Sequence, residues 1–430
     1  MTQLQEAQSK QFSDTMRRVA QRENVPARFI RDQVSAGKLV IPANVHHLPP
    51  TGRLDPVAIG RAVTTKINAC LGSSPSKPSG ADELEKLDWA VKYGADTVMD
   101  LSFHGDLDAC RAELIAQSSV PVGTVPLYEL ATNRPIEELT KRDILAAIEK
   151  QAAQGVDYFT IHAGILREHL PLARNRTMGI ASRGGALLAK WMIHHGKQNP
   201  LFELFNEIGA IMIESDVTCS LGNGLRPGCL ADANDEAQAA ELGVVGELVE
   251  RAREMGVQTM VEGPGHMPYD QIEQSIRTAT EVCSQAPFYV LGPVVTDTFP
   301  GYDHIAAAVG ATAAAYHGAA FLCYVTPREH LGLPRKEDIK QGCIAMKIAA
   351  HAADVARGLP GAREWDDQLS KARAALNWEK QFALAYDPEV ARALHDDSPS
   401  TNTSGCAIFG HDWTSIKRSQ EIQEIIVAQA

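Results

Sequence analysis

The chain has no Cys-x-x-Cys. Its eight cysteines, Cys70, Cys110, Cys219, Cys229, Cys283, Cys323, Cys343 and Cys406, are scattered singly over 430 residues. With no secretory features beside them, they read as reduced and buried rather than as a disulfide framework. No apolar run reaches the 18 or more residues of a membrane span, and the first residues are polar and charged rather than signal-like. A cytoplasmic protein with no membrane partner is expected. Excess positive charge is missing too. Lys and Arg number 41 against 53 Asp and Glu, a net −12. That argues against a nucleic-acid surface and leaves room only for a local basic pocket, such as one for a phosphate. No Gly-x-Gly-x-x-Gly opens a helix after the first strand-like run, which disfavours an open dinucleotide-binding sheet.

What is present is ordinary for a globular chain, with 44% hydrophobic and 22% charged residues and enough length for more than one structural unit. Residues 1–60 carry charged and proline-containing segments and read as an N-terminal extension packed on a larger body. From about residue 61, short runs rich in β-formers alternate with helix-like segments. The runs predict strands at Lys66–Ala69, Thr97–Leu101, Val120–Val125, Tyr158–His162, Ile213–Ser220, Gln258–Glu262, Phe288–Leu291 and Phe321–Val325. Helices are predicted at 81–93, 141–154, 186–194, 234–255, 271–285 and 304–317. Eight strands alternating with helices match an α/β fold, a (β/α)₈ TIM-like barrel over residues 61–345. Beyond it the pattern is wholly helical (336–357, 364–385, and a last helix near 415–428), so residues 346–430 read as a helical C-terminal domain.

Barrel active sites lie at the carboxyl ends of the strands. Those ends carry Asn68 and Cys70, Met99 and Asp100, Pro126 and Tyr128, His162, Asn223 and Arg226, Glu262 and His266, Gly292 and Pro293, and Glu329 and His330. The sharpest is Val261-Glu262-Gly263-Pro264-Gly265-His266-Met267-Pro268, where glycine and proline stop a buried run. They leave a carboxylate and an imidazole on one turn. His266 and His330 can hold Zn²⁺ or another divalent metal with positions left open, or be two satisfied polar histidines. Glu262 can contact substrate or act as general base, or simply pair with a cation. Ser182-Arg183-Gly184-Gly185, ahead of a helix, makes an anion pocket or only an N-cap. Gly222-Asn223-Gly224-Leu225-Arg226 brings a guanidinium suited to phosphate or carboxylate. His162 reads as base, hydrogen-bond donor or structural residue, and Asp303-His304 as a helix cap.

Together with Asn24–Arg31, Gly94–Leu101, Gly155–Gly164, Ala231–Gln238, Gly301–His304 and Thr326–Pro334, these motifs resemble the phosphomethylpyrimidine synthase (ThiC) family from about residue 18 to about 397. The resemblance implies rearrangement of aminoimidazole ribotide into the pyrimidine phosphate of thiamine. It also implies S-adenosylmethionine, a [4Fe-4S] cluster, and a homodimer of barrels with helical C-terminal domains. It makes His266 and His330 metal ligands. It puts ribotide contacts on Met99, Tyr128, His162, Ser182, Arg183, Gly184, Gly224, Leu225, Arg226, Glu262 and Tyr289. At two further contact positions the chain departs, with Cys70 for asparagine and Asn223 for aspartate.

The largest departure is C-terminal. The family's Cys-x-x-Cys-x-x-x-x-Cys, whose thiolates bind the cluster, falls in register on Cys406, Phe409 and Thr414. The sequence therefore predicts a ThiC-like lyase acting on aminoimidazole ribotide or a close analogue by a metal-assisted, non-radical C–N or sugar cleavage. In that reading Glu262 or His162 moves protons. The alternatives are a genuine phosphomethylpyrimidine synthase and a non-catalytic ribotide-binding paralogue.

Overall fold

The computed structural model describes residues 1–73, 80–397 and 415–429. Its contacts divide the chain after Arg357 into one unit containing the N-terminal segment and a barrel, and a second from Gly358 onward. Among the described residues no helix is long and apolar enough to cross a membrane.

The N-terminal segment forms helices Gln3–Gln8, Asp14–Arg22 and Ala27–Ser35. After them come two antiparallel strands, β1 (Leu39–Val40) and β2 (Ile59–Gly60). Thr2 and Ser13 cap the first two helices, and Leu4, Met16, Val19, Ile30 and Val34 fill a small core of their own. The segment is pinned to the residues that lead into the barrel strands. Gln3 N–H donates to Asp216 (3.0 Å), Asn44 N–H to Asp157 (2.8 Å) and Ile41 N–H to Gln258 (2.8 Å). It thus closes the amino end of the barrel and leaves the carboxyl end for other uses.

The barrel is closed, parallel and in chain order: β3 (Lys66–Leu71), β4 (Thr97–Asp100), β5 (Val122–Thr124), β6 (Tyr158–Ile161), β7 (Thr218–Leu221), β8 (Thr259–Glu262), β9 (Phe288–Leu291) and β10 (Phe321–Cys323). Closure comes from β10 pairing β3, with Cys323 opposite Asn68. The (β/α)₈ architecture read from the sequence is the one found, and seven strands sit within two residues of their expected starts. The fifth does not. Residues 213–215 finish helix Phe205–Ser215, whose buried side is Phe205, Ile208 and Met212. Asp216 then turns the chain in the left-handed region (φ 53°), and β7 begins at Thr218. A continuous apolar run satisfies either period, so only packing separates helix end from strand start.

Polar side chains knot the barrel interior. Asn68 Oδ1 accepts from Thr97 Oγ1 (2.8 Å) and Tyr158 Oη (2.9 Å), and Asn68 Nδ2 donates to Tyr289 Oη (2.9 Å). Each group is satisfied in a dry environment, which fixes the floor on which the mouth is built.

The second unit holds helices Ala362–Ala374, Trp378–Leu384, Pro388–Asp396 and Ser415–Gln429. The single helix expected over 364–385 is broken at Leu376 (φ 51°), after which Asn377 caps the next one. Trp378 packs on His395 with ring centres 4.3 Å apart. Cys406, Phe409 and Thr414 lie outside the described residues.

Candidate functional site

His162 follows β6 and is 2% exposed, with no hydrogen-bond partner for Nδ1 among the described residues. Its ring is clasped by two glycines. A Cβ on Gly184 would stand 2.4 Å from the imidazole, and one on Gly222 2.8 Å. Burial, with the positive charge of Arg226 adding to it, pushes the His162 pKa down to about 3. The imidazole is neutral at physiological pH, with one polar atom that meets no partner among the described residues.

Around it converge the loops expected at the rim. Ser182 caps helix Arg183–His195, accepting from Gly185 N–H at 3.2 Å. Gly185 abuts the carbonyl of Gly224, so close that a Cβ would stand 2.1 Å away, which fixes the 182–185 turn against the 222–226 loop. The Arg183 guanidinium lies over Tyr128 (5.1 Å) and Phe103 (5.4 Å). Arg226 donates to the Asn223 carbonyl at 3.3 Å. Neither arginine pairs with a carboxylate among the described residues, so two cations and a helix N-terminus face the same mouth.

Glu262, at the end of β8, accepts from Thr160 Oγ1 and from Asn223 N–H, each at 3.2 Å. Burial raises its pKa against the opposing pull of Arg226. Asn223 Oδ1 is buried with no partner among the described residues. Tyr289 Oη donates to Met99 Sδ at 3.8 Å, and the Cys70 and Cys323 sulfurs lie 3.4 Å apart beside Asn68. The structure thus brings Cys70, Met99, Tyr128, His162, Ser182, Arg183, Gly184, Asn223, Gly224, Leu225, Arg226, Glu262 and Tyr289 to the carboxyl end of one barrel.

His266 and His330 form a second cluster, with ring centres 5.4 Å apart. His266 Nδ1 meets Asp297 Oδ1 at 2.9 Å, and His330 Nδ1 meets Asp303 Oδ1 at 2.9 Å. A carboxylate on each Nδ1 holds the proton there and leaves each Nε2 lone pair free, the arrangement metal-ligating imidazoles adopt. Burial lowers the His266 pKa, which favours the neutral ligand form. Among the described residues no group of three or more His, Cys, Asp or Glu could hold a metal. The pair therefore suits an ion that takes its other ligands from water or a bound molecule.

Three residues escaped the sequence reading. Asp303 was expected to cap the helix Asp303–His317, but the cap position is Tyr302, and Asp303 instead orients His330. Asp297 does the same for His266. Glu241, buried on the helix Glu236–Met255, accepts Gly224 N–H (2.7 Å) and Leu225 N–H (2.6 Å), and burial pushes it up to about 7. It is the post beneath the 222–226 loop. Its signal was a glutamate on the same helix face as Ala237, Val245 and Leu248.

A model described as the radical SAM ThiC family matches residues 2–421. The phosphomethylpyrimidine synthase of Natronomonas pharaonis is 55% identical over 428 residues, covering 98% of this chain and 89% of that one. That of Halobacterium salinarum is 54% identical with the same coverage. Among solved structures, a dihydropteroate synthase from Xanthomonas albilineans aligns over 75% of this chain and all of its own, with TM-score 0.43 and 11% identity.

Proposed function

The chain belongs to the radical SAM ThiC family, and from that premise we propose that it is a lyase that takes aminoimidazole ribotide at the mouth of its barrel, with phosphomethylpyrimidine formation as its reaction. The identity with the archaeal synthases supports the reaction class. The observation that carries the substrate is the buried Nδ1 of His162, near two guanidinium groups, where among the described residues the nitrogen has no hydrogen-bond partner and the arginines no carboxylate. A ribotide offers what that pocket lacks, a phosphate dianion and ring and hydroxyl groups able to satisfy a neutral imidazole.

Arg226, Arg183 and the N–H groups after Ser182 would hold the phosphate. Neutral His162 would give or take a hydrogen bond from Nδ1 and fix the ring's orientation. Glu262, whose pKa burial raises above the usual carboxylate range, would accept or return a proton at its carboxylate. His266 and His330 would hold a divalent cation, zinc by its preference for imidazole. Such an ion supplies a Lewis acid for a substrate oxygen. A homodimer fits the exposed apolar side chains Ile305, Val309 and Tyr316 on one helix, and free thiols suit a reducing compartment such as the cytoplasm.

The family implies a [4Fe-4S] cluster and S-adenosylmethionine, and the donors of this chain do not fit the cluster. In the register of the three thiolates stand Cys406, Phe409 and Thr414, a single thiol. A phenyl ring cannot ligate iron and a threonine hydroxyl is a poor substitute. This favours a second reading, a polar cleavage of the same ribotide between imidazole and sugar, without radical chemistry.

One pair of incubations separates the readings. Protein reconstituted anaerobically with iron and sulfide, then given ribotide, S-adenosylmethionine and reductant, should release phosphomethylpyrimidine on the first. Metal-loaded protein given ribotide in air should release base and sugar phosphate on the second. No product in either would overturn the lyase assignment.

A further inference from the structure

Cys70 is the last residue but one of β3 and Cys323 ends β10, the two strands whose pairing seals the barrel. Cys323 stands opposite Asn68, and Cys70 follows Asn68 by two residues, so all three side chains share the inward face. The two sulfurs lie 3.4 Å apart. Asn68 Nδ2 reaches both, at 3.4 and 3.5 Å. A disulfide requires about 2.05 Å between sulfurs, so the side chains must close by roughly 1.4 Å. Cys323 is fully buried, whereas Cys70 is partly exposed. The second thiol is a departure from the resemblance, which puts asparagine at position 70.

We propose that Cys70 and Cys323 are a reversible redox-modification site in the floor of the ribotide pocket, oxidised by a peroxide to a disulfide that blocks the pocket. One thiolate sulfur attacks a peroxide oxygen, the O–O bond breaks, and a sulfenic acid forms with loss of hydroxide. The second sulfur displaces the sulfenic oxygen as water and the S–S bond forms. Two thiols lose two electrons and two protons, and one peroxide becomes two waters. Asn68 Nδ2, within reach of both sulfurs, is the donor placed to steady a thiolate at either of them. Glu262 and Glu329 are the acidic groups whose charge opposes ionisation of Cys70.

The bond would re-aim both sulfurs beside Asn68 Nδ2, which also donates to Tyr289, and Tyr289 in turn holds Met99. Three groups of the ribotide pocket would shift together. That consequence rests on the ribotide reading, whereas the bond itself does not.

The test uses the reduced full-length protein and hydrogen peroxide. Non-reducing peptide mapping after alkylation should find a Cys70–Cys323 link, absent from C70N and removed by dithiothreitol. Calorimetry should find ribotide affinity reduced at least tenfold by peroxide and restored by dithiothreitol, with no peroxide response in C70N. Both thiols alkylated in full after peroxide, or oxidised to sulfinic acid without a link, would overturn the proposal. So would a link that leaves ribotide affinity unchanged. A link in a chain whose reduced form binds no ribotide would instead sink the ribotide reading and leave the modification site standing.

Discussion

Asp303 Oδ1 lies 2.9 Å from His330 Nδ1, although it is 27 residues away and begins a helix while His330 lies in a turn. Asp297 meets His266 in the same way at 2.9 Å. Each carboxylate fixes the tautomer and turns Nε2 outward, so the pair is oriented before any ion arrives. Removing the orienting group should therefore cost affinity without removing a ligand. D303N is expected to weaken divalent-metal binding by about 10–100-fold, and H266A/H330A to abolish stoichiometric binding, both read by elemental analysis and competition titration. Unchanged metal content in the double histidine variant would rule the pair out as ligands.

His162 is held neutral with a pKa near 3, so it gains no proton across the physiological range. Ribotide affinity measured by calorimetry from about pH 5.5 to 8 should contain no His162 titration, and wild type and H162Q should run parallel. H162Q should bind about tenfold or more weakly at every pH, the expected loss of a buried hydrogen bond. Curves that converge at low pH would show that the imidazole titrates.

Burial raises Glu241 from 4.5 to about 7 in the folded chain. An acid whose folded pKa is raised favours the protonated folded state. Below about pH 4.5 both states are protonated. As pH rises to about 7 the unfolded state gains from ionising first, so stability falls by up to about 3 kcal/mol. Urea midpoints compared at pH 5 and pH 8 should drop more for wild type than for E241Q. E241Q also turns an amide N–H toward one of the two backbone donors of the 222–226 loop, and should loosen ribotide binding at pH 5. Equal pH dependence in both proteins would show that Glu241 is not the titrating group.

The register that the resemblance to the ThiC family sets can be filled with thiols. F409C/T414C returns three thiols to the register that begins at Cys406. Anaerobic reconstitution should give this variant a thiolate-to-iron absorption band and about four irons per chain, with wild type taking up far less. A full cluster in the wild-type chain would overturn the second functional reading.

Much of this protein could be read before folding. Seven strands were located closely because runs such as Phe288–Leu291 are rich in β-formers and end at glycine or proline. The fifth was misplaced because Ile211 and Ile213 fit helix and strand periods alike. Glu262, His162, His266 and His330 were picked out because each ends a barrel strand or lies in the segment that follows one, and a barrel sends those segments to one rim. Asp297 and Glu241 were not, since their roles depend on which loop or helix face reaches them across 31 and 17 residues of chain.

The sequence alone determined the barrel and the chemical types at its rim, because both are written in local pattern or in residue identity. Only the tertiary structure decided which groups lack a partner, which carboxylate orients which imidazole, and that Cys70 and Cys323, 253 residues apart, stand sulfur to sulfur. Those facts arise where strand ends and loops far apart in the chain meet, and no local stretch of chain carries them.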